Sequence, residues 1–149
     1  GYSKFGLKDY DITVELTATR RTGFHRYKFP KIEDGARVIL DLSHVLRNVN
    51  GAWMKYHGGV ISSVSSTQIR GFGRYSNLWS SSPAFNVYFC SQFKTPAKSF
   101  ATFWSHKIYP DTTYQTGMNS IGAIMSFDTS KENVILSRVG ISFISANNA

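Results

Sequence analysis

The chain has 149 residues and nine carboxylates, and where those carboxylates fall sets the chemistry it could perform alone. General acid–base hydrolysis needs two carboxyl groups facing one reacting bond, one of them kept protonated by an apolar setting. Asp9 and Asp11 stand two apart on one face of the segment entering a strand, flanking Tyr10. Glu33, Asp34, Asp128 and Glu132 fall in turn sequences, and Glu15 and Asp41 lie on the polar sides of alternating segments. None has the aromatic neighbours that would raise a carboxyl pKa. His25, His44, His57 and His106 have no cysteine or carboxylate partner at metal-ligand spacing. The glycines of GFGR, Gly71 to Arg74, lack the third glycine and the following helix of a phosphate loop. There is no GxSxG elbow and no EF-hand loop. The residues spell no self-sufficient active site.

The elements that would position any site read as strands. In Ile12 to Thr17, Ile12, Val14 and Leu16 alternate with polar residues, and a turn at Thr19 to Gly23 returns the chain through Phe24 to Phe29. Phe24 and Arg26 fall on one face of that return strand, His25 and Tyr27 on the other, and Pro30 closes it. Asp34-Gly35 is a hairpin signal before the strand ARVILDL. Ser43 to Gly59 reads as an irregular excursion. Strands resume over Val60 to Val64 and Thr67 to Phe72, and Gly73 to Pro83 (GRYSNLWSSSP) is a second loop in which Trp79 has no apolar alternation to bury it. FNVYFCSQF is a long strand, with Cys90 a core residue. Phe100 to Trp104 is another strand, and His106 to Asn119 a loop or edge hairpin. The last two strands, Ile121 to Phe127 and Val134 to Ile144, are joined by DTSKEN. Some ten short strands with frequent turns and no helical periodicity predict an all-β, antiparallel β-sandwich. Loops on such scaffolds are where binding groups sit.

The net charge of +8 and pI of 9.7 raise a nucleic-acid or anionic partner. The cations are spread over many segments without a basic helix, so solvated strand faces are the expectation and nucleic acid is not. No apolar stretch approaches a membrane span, no signal peptide opens the chain, and one cysteine permits no internal disulfide. The abrupt start and stop suggest a piece of something longer.

Five segments, VELTAT, GFHRYKFP, ILDL, VYFCSQFKTP and VGISFISANNA, resemble in that order the amino-terminal domain of the family 92 glycoside hydrolases, calcium-dependent α-mannosidases. The resemblance implies a β-sandwich of supersandwich type over residues 1–149, a single domain within the amino-terminal part of a larger enzyme. It implies a parent that removes mannose, with inversion, from mannose-containing glycans, α-1,2-linked in expectation. Its catalytic residues and most calcium ligands would lie in a carboxy-terminal helical domain, so this piece alone is expected to be inactive. The family's S-x-G-W pattern maps onto Ser76-Asn77-Leu78-Trp79, with Leu78 in place of the glycine, and makes Trp79 a sugar-stacking candidate. Trp53 and His57 are candidates of the same kind, and Arg74 could hydrogen-bond a hydroxyl. A large exposed apolar patch is expected where the helical domain belongs, and a periplasmic or secreted location follows from the resemblance alone. The alternative is a stand-alone carbohydrate-binding or adhesion module.

Overall fold

The computed structural model describes residues 1–45, 47, 48, 51, 52, 54–77 and 83–149, with side chains of 47, 48, 51, 52 and 77 left out. Fourteen strands are described: β1 (Tyr2–Leu7), β2 (Ile12–Ala18), β3 (Thr22–Lys28), β4 (Ala36–Asp41), β5 (Arg47–Asn48), β6 (Gly51–Ala52), β7 (Met54–Ser65), β8 (Gln68–Asn77), β9 (Phe85–Phe93), β10 (Ser99–Trp104), β11 (Lys107–Pro110), β12 (Tyr114–Gly117), β13 (Ile121–Phe127) and β14 (Val134–Ser142). Eight form one sheet in the order β1-β2-β3-β14-β9-β8-β7-β12, and four form a second in the order β11-β10-β13-β4; β5 and β6 pair with each other. All pairings are antiparallel. The all-β sandwich is as the strand count leads one to expect.

Period-two patterning places the core between the sheets. Ile61, Ile69, Phe89, Phe93 and Ile135 of the large sheet meet Ala36, Ile121, Ala123, Met125 and Phe127 of the small one. Phe93 and Phe127 bridge the layers with ring centroids 5.5 Å apart. The two connections read as turns between paired strands, KIEDG and DTSKEN, are instead crossovers: β3 and β14 lie in the large sheet, β4 and β13 in the small. Thr129 joins them. It is fully buried, and its hydroxyl lies 2.9 Å from the Pro30 carbonyl and 3.0 Å from that of Ile32.

Several expectations need correction. Residues 2–7 form β1, which pairs along β2, and the carboxylates Asp9 and Asp11 share no strand face. Lys8–Tyr10 is a 3-10 turn and Asp11 takes φ of 50°. β7 begins at Met54 and β8 runs to Asn77, so His57 and Arg74 sit on strands, where cross-strand hydrogen bonding extends the ladder past both glycine clusters. Residues 107–117 hold two strands that part into different sheets. Cys90 is half-buried on the outer face, receiving a contact from Gln68 Nε2 at 3.3 Å, because Phe89, Ser91 and Phe93 take the inward positions.

The cations are gathered more than the sequence suggests. The register places Lys4, Arg26, Lys28, Lys55, Arg138, Arg70 and Arg74 on the outer face of the large sheet. Glu15 is the one carboxylate described there.

Candidate functional site

One end of the sandwich is built by a defect in the β7/β8 ribbon. Tyr56 pairs with Tyr75 and Gly58 with Arg74, which leaves His57 opposite nothing, a bulge. Gly58 takes φ of 120°, and a Cβ there would lie 2.9 Å from the Gly117 carbonyl oxygen. Only glycine lets β12 close onto β7 at this point. The bulge brings His57 Nε2 to 2.7 Å from Ser76 Oγ. Arg74, two residues before Ser76 and so on the same face, is exposed. The structure therefore brings His57 and Arg74 together at one end of the large sheet.

Beneath them the ribbon is tied to the small sheet. The Tyr56 and Tyr75 rings lie 5.6 Å apart, and Tyr75 donates to the Leu42 carbonyl at 2.7 Å. Asp41 Oδ1 accepts from the Ser43 backbone N–H at 2.8 Å and its hydroxyl at 2.6 Å. The root of the irregular segment is thus held against β8. Tyr56 Oη is buried without a hydrogen-bond partner among the described residues. Burial, reinforced by Tyr75 and Asp41, pushes its pKa up to about 12, so it stays neutral. Met54 and Asn77 form the last pair of the ribbon. Trp53 and Trp79 lie outside the described residues, one and two positions along the chain from that pair.

Trp104, not among the sequence candidates, stands at the same end. It is 40% exposed, and a Cβ on Gly117 would come within 2.8 Å of its Nε1. Its signal was a tryptophan at the end of an alternating strand, FATFW, next to polar residues. His25, by contrast, is a satisfied structural histidine: Nδ1 lies 2.6 Å from the Tyr27 hydroxyl, and burial holds its pKa below the ordinary value. Glu15 accepts from the Tyr2 hydroxyl at 2.6 Å and from Arg26; the Tyr2 bond first, then Arg26, hold its pKa below the usual carboxylate value. Among the described residues no three of His, Cys, Asp and Glu gather as a metal site would require.

This end of the β-sandwich offers hydrogen-bond donors, His57 and Arg74, and a half-exposed aromatic ring, Trp104. The chain belongs to the glycosyl hydrolase family 92 N-terminal domain family, whose sequence profile matches residues 1–142. Its fold is similar to the family 92 α-mannosidase BT3965 of Bacteroides thetaiotaomicron, solved with mannoimidazole, at TM-score 0.80 and 22% identity over 98% of this chain and 19% of that one. The family 92 inverting mannosidase BT2199 of the same species gives 0.79 and 21% over 98% of this chain and 18% of that one. The family 92 glycosyl hydrolase ccman5 gives 0.70 and 23% over 91% and 17%. The chain thus spans about a fifth of these structures. No curated protein sequence matches it.

Proposed function

We propose that this domain is the amino-terminal scaffold of an exo-acting α-mannosidase and supplies one wall of its sugar pocket. The observation that carries the reading is the family 92 match over residues 1–142; the sandwich shared with two mannosidases supports it. The wall is the end built by the β7/β8 bulge. Arg74 and His57 offer donors to sugar hydroxyls there, and Trp79 and Trp53 are the stacking faces, since an aromatic ring covers the apolar C–H face of a sugar and keeps water from it.

Inversion needs a general acid and a general base about 6.5–9.5 Å apart with a water between the base and the anomeric carbon. Both belong, in this reading, to a helical domain carried by the same polypeptide. The calcium ligands, in this reading, lie mainly there too. What this chain contributes is orientation and exclusion of water, which raise the share of bound sugar in a reactive pose. Mannose-containing glycans, α-1,2-linked, are the proposed substrates, and the periplasm or the exterior the proposed location. No described helix is long and apolar enough to cross a membrane.

The test is mannose release from α-1,2-mannobiose by the full-length polypeptide, with and without a calcium chelator. Release that stops on chelation is the expected outcome. A polypeptide that binds the disaccharide and never cleaves it contradicts the reading and favours a carbohydrate-binding module.

A further inference from the structure

The two outer faces of the sandwich differ sharply in chemistry. On the small sheet the inward positions belong to Val38 and Leu40, Ala123 and Met125, and Phe100 and Thr102, so the residues between them face out. The register then aligns Ile39, Ile124, Ala101 and Pro110 in a row across all four strands, with Phe103 and Ile108 in the next row. Ile39 is 61% exposed and Ile108 56%. The outward face of an antiparallel sheet is ordinarily polar when water covers it. Here the only charges are at the ends of β4, Arg37 and Asp41. Gly122 flattens the face: a Cβ there would come within 2.3 Å of the Phe103 ring, so the ring lies down over the glycine.

We infer that this apolar face is the surface on which the remainder of the same polypeptide docks. The inference rests on the proposed larger enzyme and names the face that meets its other domain. Three observations select the occupant. An apolar face with charges only at the ends of one strand matches the core of a permanent interface, and the outer face of the large sheet, with seven cations, does not. An acidic partner would be drawn to that opposite face instead. The family structures with this fold each carry it as under a fifth of one longer chain, so covering polypeptide is present in cis at high effective concentration. Phe103 and Ile108 also lie next to Trp104, at the end where Gly117 meets Gly58.

The experiment places a photoreactive residue at Ile39, Ile108 or, as control, Arg70 in the full-length polypeptide and maps the crosslinked peptides by mass spectrometry. Crosslinks from Ile39 and Ile108 to positions beyond residue 149 of the same chain, with none from Arg70, are expected. Crosslinks between two copies, crosslinks from Arg70 alone, or none from the apolar face overturn the inference. A second variant, Ile39→Lys with Ile108→Lys, should accelerate proteolytic separation of this domain from the remainder severalfold while the β-sheet circular dichroism persists; an unchanged cleavage rate counts against docking. Neither readout depends on catalysis, so a polypeptide that crosslinks as expected yet releases no mannose leaves the docking intact and sinks only the enzymatic reading.

Discussion

His25 shows how a single side chain couples this fold to pH. Burial lowers its pKa from 6.5, so the folded state favours the neutral ring and the unfolded chain takes up the proton first as pH falls. Its contribution is whole above 6.5 and is lost as pH falls through the folded-state value. Glu15 repeats the pattern lower down, its contribution draining away as pH falls below 4.5. Denaturant titrations should therefore show stability declining in two windows on acidification, and His25→Gln should remove the upper one; an unchanged slope there would assign it to another group. Arg74 is exposed and makes no ion pair among the described residues. In the full-length polypeptide Arg74→Ala should raise KM about tenfold, the loss of one charge-assisted hydrogen bond, with the melting temperature unmoved. At this scale the sequence was partly legible. His57 and Arg74 were picked from segments read as irregular loops, but their placement at one end depends on a bulge that no local pattern announces. Cys90 was placed in the core because its strand is apolar throughout, and the alternation there is decided by which face has a second layer over it.

At the scale of elements, hairpins were readable and crossovers were not. The β2/β3 and β7/β8 pairs carry their turns between matched alternating runs, which is local information. Whether KIEDG returns a strand to its own sheet or across to the other depends on Thr129, ninety-seven residues from Ile32, whose hydrogen bonds gather both crossovers. The bulge makes two predictions. Gly58→Ala meets a positive φ and the Gly117 carbonyl, and should cost about 1–3 kcal/mol, visible as a thermal shift of a few degrees. Tyr75→Phe removes the bond to Leu42 and should cost about 1 kcal/mol. In calorimetry the Gly58→Ala loss should exceed the Tyr75→Phe loss; the reverse order would mean that the ribbon is held by its tether to β4 more than by its closure on β12.

For the whole molecule, the sandwich followed from counting short alternating segments, and the family from five ordered stretches of sequence. The division of its surfaces did not, because the cations are scattered along the chain and only the strand order β3-β14-β9-β8 gathers Arg26, Arg138, Arg70 and Arg74 onto one side. The same holds for the apolar row from Ile39 to Pro110, assembled from four strands distant in sequence. The central claim is that this domain is one wall of a pocket and not a whole one. Calorimetric titration of methyl α-mannoside into the 149-residue domain and into the full-length polypeptide tests it most directly. Saturable binding by the full-length polypeptide with no measurable heat from the domain is the predicted result. Comparable affinity in the two would contradict it, since a complete sugar site would then lie within these residues.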